Sequence, residues 1–132
     1  MHTLVPNLID SHFHLRSMQR KGVQIEALLG AMQQACMQGI EIGLDCDDLT
    51  ERTALLAPYP FIHLSAGIGP WGVKDSLDEQ LAVLEDQLAQ NEVAAIGEIG
   101  LDNYHKYGTV ENQEYLLQRQ IELANTMGKP VI

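Results

Sequence analysis

Asn7-Leu8-Ile9-Asp10-Ser11-His12-Phe13-His14-Leu15 reads as a β-strand whose polar groups gather toward its C-terminal end. Alternation puts Leu8, Asp10, His12 and His14 on one face, and Ile9, Ser11, Phe13 and Leu15 on the other. From Gln24 the spacing becomes helical, with Ile25, Leu28, Leu29, Met32 and Cys36 on one side and Gly39 as a place to stop. Ile40 to Asp45 is a second short strand. A polar stretch from Asp47 predicts a second helix through Ala57, ended by Pro58 and Pro60. Phe61 to Ala66 is a third strand, followed by a loop, Gly67 to Gly72, that is rich in glycine but matches no phosphate-binding fingerprint. Ser76 and Glu79 fit a capping box ahead of Leu77, Leu81, Leu84 and Leu88, the clearest helical face in the chain. Val93 to Leu101 is an apolar fourth strand interrupted by Glu98. Leu117, Ile121 and Ala124 mark a fourth helix closed by Gly128, and Pro130-Val131-Ile132 begins a fifth strand.

Strict strand-helix alternation without a hairpin signal predicts a parallel sheet with right-handed crossovers. Two α/β architectures fit. A doubly wound sheet is complete at about this length, whereas a (β/α)8 barrel takes about 250 residues, so four units and the start of strand 5 would be its N-terminal half. Periodicity alone does not choose between them. One domain, residues 1–132, is expected, since a chain of this size buries roughly two thirds of its unfolded surface, enough for one core.

Eight Lys and Arg against 18 Asp and Glu give a formal charge of −10, which excludes a whole-surface attraction to nucleic acid or anionic membrane. A phosphate-bearing substrate would need local neutralisation by clustered cations or bound metal. No apolar run approaches the 18 or so residues of a membrane helix, and the N-terminus does not resemble a secretory signal. A cytoplasmic protein is expected, with Cys36 and Cys46 as reduced thiols and Cys36 on a buried helix face.

His12 and His14, one residue apart on a strand, point the same way and can present two imidazole nitrogens to one ion, with Asp10 placed to support them electrostatically. Half-buried histidines at a strand end would look the same in sequence. Glu98 adds to the metal reading, because a carboxylate inside an apolar run is costly to bury unless it is paired, hydrogen-bonded or ligating a cation. In a parallel barrel the ends of strands 1 and 4 open on the same mouth, where His12, His14 and Glu98 could converge.

LIDSHFHL (8–15), AAIGEIGLDNYH (94–105) and QIELANTMGKPVI (120–132) together resemble the TatD family of metal-dependent deoxyribonucleases, in the order and spacing of that family's N-terminal half. The resemblance implies a TIM barrel with two divalent ions (Mg, Mn or Zn) at its mouth. By residue match, His12 and His14 resemble the strand 1 ligands, and Glu98 resembles the carboxylate that bridges the ions and positions the attacking water. His105, in the tail of the middle motif with Asp102, could contact a phosphate. The implied reaction is cleavage of a phosphodiester, DNA foremost, by metal-activated water. The family's other ligands, two later histidines and a late aspartate, fall beyond Ile132. The 132 residues alone are therefore expected to be inactive, and to need the other half of the barrel or to self-associate. Two departures stand out: Arg16 where the family usually has aspartate, and Gly67-Ile68-Gly69-Pro70 where it usually reads GIHP. Another amidohydrolase-like hydrolase, or a non-catalytic half barrel with a partner chain, would share much of this pattern.

Overall fold

The computed structural model describes residues 4–74 and 76–132. Strand β1 (Ile9–Phe13) leads through helices α1 (Leu15–Arg20) and α2 (Ile25–Gln34) to β2 (Gln38–Glu41). Helix α3 (Leu49–Leu56) leads to β3 (Ile62–Ala66), a 3-10 turn (Pro70–Lys74) and helix α4 (Leu77–Gln90) to β4 (Ala95–Ile96), and α5 (Val110–Met127) to the end. All neighbouring strands are parallel and lie in the order β1-β2-β3-β4, and Val131 bridges Ile96 in parallel as the next strand begins.

That order decides between the two architectures. A doubly wound sheet reverses its strand order at a switch point. Here each strand is added beside the last, which is how a barrel wall grows, and right-handed crossovers then put the helices in one outer layer. Consistent with this, α3 packs on α4 and α4 on α5. The core lies between sheet and helices and includes Leu29, Met32, Leu49, Leu56, Leu64, Leu84, Ile96 and Leu116. Among the described residues no helix is long and apolar enough to cross a membrane.

Several expectations are corrected. Gly39 does not end the first predicted helix: α2 stops at Gln34, and Gly39 sits inside β2, where a Cβ would stand 2.6 Å from the Phe13 ring. Glycine is there so that Phe13, 8% exposed, can lie flat on the neighbouring strand. Cys36 is exposed rather than buried, because the chain has already left the helix and turned to φ +53°. Strand β2 starts two residues and ends four residues earlier than predicted, α1 is an addition to the expected elements, and β4 is two residues long rather than nine. Ser76 is the N-cap of α4, but its side chain makes no capping bond. On α5 the face that is buried is Gln113, Leu116, Gln120 and Ala124, while Ile121 is exposed. Gly128 closes that helix in the left-handed region, as expected.

Candidate metal centre

The end of β1 carries one extra residue. Asp10 pairs with Gly39 but Phe13 pairs with Glu41, so a bulge spans Ser11 and His12. Bulges beside functional sites re-aim side chains. Here the Asp10 carboxylate accepts from the His12 backbone N–H at 3.2 Å and so holds the strand, rather than an imidazole. His12, within the bulge, and His14, beyond it, do share a face: their Nε2 atoms are 3.3 Å apart and their rings meet edge to face. Nδ1 of His14 lies 3.0 Å from the carbonyl of Ile42, which can only accept. The hydrogen therefore sits on Nδ1 and the Nε2 lone pair is left for an ion, the usual support for a metal-binding imidazole.

Glu98 reaches the same point from β4. Two glycines allow it: a Cβ at Gly67 would stand 2.8 Å from the Gly97 backbone, and one at Gly97 would stand 2.6 Å from the Ile132 carbonyl. Gly97 N–H donates to Ala66 and its carbonyl accepts from the Ser65 hydroxyl, while the Glu98 N–H crosses over the end of β3 to the Gly43 carbonyl at 3.1 Å. The carboxylate thus lands with Oε2 3.3 Å from His12 Nε2 and 3.5 Å from His14 Nε2. One donor atom from each of the three residues lies within 4.8 Å of the others. Lone pairs so aimed at one point repel each other unless a cation or a proton stands between them. Two imidazoles and a carboxylate suit a divalent ion and leave coordination positions open. The residues present therefore fit the metal that the sequence motifs imply. One premise is corrected: the Glu98 side chain is 31% exposed and faces the open end, so it is not a charge sealed in a core.

The sealed carboxylate is Glu41, 2% exposed at the end of β2, which the sequence reading passed over. Arg52 on α3 donates to it at 2.7 Å, to Asp48 at 2.8 Å and to the Ser65 carbonyl at 2.9 Å. Burial pushes the Glu41 carboxyl above its usual range, against the pull of Arg52 and of the Leu15 amide. Two further misses lie on α5. Buried Gln120 accepts from Ile68 N–H at 2.6 Å and donates to the Ile68 carbonyl at 2.8 Å, fixing the loop after β3. Gln113, two turns earlier, does the same for the loop after β4, accepting from Asp102 N–H and donating to the carbonyls of Asp102 and Tyr107. Their seven-residue spacing on the face of Leu116 and Ala124 was the available signal.

His105 does not join the three donors in that cluster. It is exposed, with Nδ1 2.7 Å from Asp102 and its ring stacked on Tyr107. The His105 backbone and ring hold the Asp102 carboxyl below its usual range. Arg16, where the family usually has aspartate, is tied to Glu51 on α3 and to Asp48 at its N-cap. At Gly69, a side chain would run into the Trp71 ring.

The family model for TatD related DNase matches residues 9–132. The chain is 29% identical over 125 residues to the uncharacterized metal-dependent hydrolase YabD of Bacillus subtilis, covering 95% of this chain and 49% of YabD. It is 29% identical over 126 residues to the 3'-5' ssDNA/RNA exonuclease TatD of Edwardsiella piscicida, covering 94% and 48%. The crystal structure of YjjV, a TatD homolog from Escherichia coli K12, superposes with a TM-score of 0.80 at 29% identity, over 94% of this chain and 49% of that one. The chain thus spans about half the length of the curated relatives it matches. With the motifs, strand order and donor cluster all in agreement, the chain belongs to the TatD family.

Proposed function

We propose that this chain carries the metal-binding front of a hydrolase that cleaves phosphodiester bonds of nucleic acid, DNA foremost, with two divalent ions (Mg, Mn or Zn). The observation that carries this reading is the convergence of His12, His14 and Glu98 from opposite ends of the four-stranded sheet. The names of relatives support it: one is a metal-dependent hydrolase and another an exonuclease on single-stranded DNA and RNA. Bound ions would polarise the phosphodiester, lower the pKa of water and supply the positive field that a chain of charge −10 lacks. His12 and His14 offer neutral nitrogens, with His14 held in register by Ile42. Glu98 is the bridging and water-positioning carboxylate in this reading, its two oxygens able to serve two ions. His105, steadied by Asp102, contacts a phosphate from the rim.

Three donors do not fill the coordination of two ions. We therefore read residues 1–132 as a partial TIM barrel whose remaining ligands come from the other half of the barrel, in the same polypeptide or in a partner chain. A cytoplasmic setting belongs to the same reading, on the free thiols of Cys36 and Cys46.

The test uses the whole protein from its native gene, with its intact mass determined first. After metal removal, calorimetry with Mg, Mn and Zn should find two sites. Metal should then restore cleavage of a single-stranded DNA oligonucleotide. Turnover of amides or carboxylic esters, but not of phosphodiesters, would move the protein to another amidohydrolase-like reaction. No metal binding and no turnover would remove it from the enzymes.

A further inference from the structure

Trp71 has no part in the chemistry above, yet it is built into the same end of the sheet. It belongs to the 3-10 turn after β3, and its indole N–H donates to the Leu44 carbonyl, in the loop after β2, at 3.0 Å. That bond fixes the direction of the ring. The ring also covers Gly69 so closely that no side chain fits there, and Gln120 pins the adjoining Ile68 on both its polar atoms. A half-buried indole is thus held rigid by three elements, and it forms a wall of a hollow of about 270 Å³. Ile68 adds apolar lining, Asp45 and Asp47 bring carboxylates, and Lys74 brings an ammonium. A smaller hollow lined by His14 shares Leu44 and Asp45 with it, so the loop after β2 stands between Trp71 and one of the metal donors.

We propose that this hollow is a subsite for one nucleobase of the substrate, stacked on Trp71; the proposal rests on the nuclease reading above. Its volume falls near the small end of small-molecule sites, about 300 Å³, which suits a single ring system. The lining matches a flat heterocycle with polar edges: an aromatic face for stacking, carboxylates for exocyclic amines and an ammonium for ring carbonyls. It also answers the problem set by the charge. A chain of −10 gains little from the phosphate backbone, whereas base stacking draws affinity from the uncharged part of the nucleotide. Trp71 is a substrate-binding residue on this assignment, and Gln120 and Gly69 position it.

The test compares two single-stranded oligonucleotides, one with natural bases and one abasic over the three terminal residues, cleaved by the whole metal-loaded protein. The wild type should prefer the natural one by roughly 10- to 100-fold in KM, the size of one lost stack. Trp71→Leu should bring that ratio close to one, and Trp71→Phe should keep most of it. A ratio unchanged in Trp71→Leu, or a wild type blind to the abasic ends, overturns the subsite. Free deoxynucleosides, titrated at millimolar concentration, should quench a fluorescence component that Trp71→Leu lacks. If the protein cleaves neither oligonucleotide yet shows that quenching, the subsite stands and the nuclease reading falls. Cleavage of both at equal KM with no quenching does the reverse.

Discussion

Glu41 and Glu98 occupy comparable places, each near the C-terminal end of a parallel strand and each flanked by isoleucines within two residues, and the protein treats them in opposite ways. Glu41 is closed in and answered by a guanidinium, shared with Asp48, and by a backbone amide. Glu98 is left at an open end with two imidazoles and no guanidinium or ammonium bridge among the described residues. The physical rule that a buried charge needs a partner applies to Glu41, whereas Glu98 stays partly in solvent and its neighbours differ in kind. A permanent cation on a neighbouring helix makes Glu41 part of the frame. Two imidazoles with no permanent cation beside them would make Glu98 a place for an exchangeable one.

The most severe way to break this contrast is Arg52→Met. It leaves Glu41 and Asp48 buried without their cation, and should lower unfolding free energy by about 3–5 kcal/mol in urea denaturation. Glu98→Gln should act the other way round: melting of the metal-free protein within a few degrees of wild type, and metal affinity by calorimetry down by about 100-fold or more, since even supporting groups around a metal cost 10- to 100-fold. A large loss of metal-free stability would show that Glu98 belongs to the frame after all. Gln120→Leu should cost about 1–3 kcal/mol, through the Ile68 groups it leaves unpaired.

Acidity sharpens the comparison further. Because burial raises the Glu41 carboxyl, the folded state holds its proton more tightly than the unfolded chain. Its contribution to stability therefore falls as pH climbs from the ordinary carboxylate value through the raised one. Glu41→Gln should flatten the wild-type stability profile over that window. Asp102, held low by His105, has the opposite sign and the smallest effect. Its contribution is present at neutral pH and lost as pH falls below about 4, so amide exchange at Tyr104 and His105 should speed up there first, and Asp102→Asn should show that faster exchange already at pH 7.

What could be read in advance follows from how local the determinants are. The His12–His14 pair was legible because a two-residue period survives beyond the bulge, and the Leu81–Leu84–Leu88 face because helical spacing is self-contained. The bulge at Ser11 and His12 is not legible in the sequence, because it is set by pairing with β2 and leaves no mark in its own residues. Glu98 reads as buried because its apolar neighbours have the pattern of a long strand, whereas the ladder ends at Ile96 and the chain turns outward through glycine. The α5 face was misread because two of its most enclosed side chains are glutamines, whose burial depends on carbonyls and amides far away in sequence.

The backbone around Glu98 is fastened on both sides, to Gly43 at one end of the reach and, through Ile96 and Ile99, to Pro130 and Ile132 at the other. As the polypeptide leaves the ribosome, the two histidines emerge some 85 residues ahead of the carboxylate, but its second fastening arrives only after α5 has been completed and the chain has come back to the sheet. The three donors are thus brought together in the order of synthesis, with the last of these fastenings made by residues outside the donor set. A nascent chain that has not yet passed Ile132 would lack the fastening that sets the Glu98 carboxylate opposite the two imidazoles.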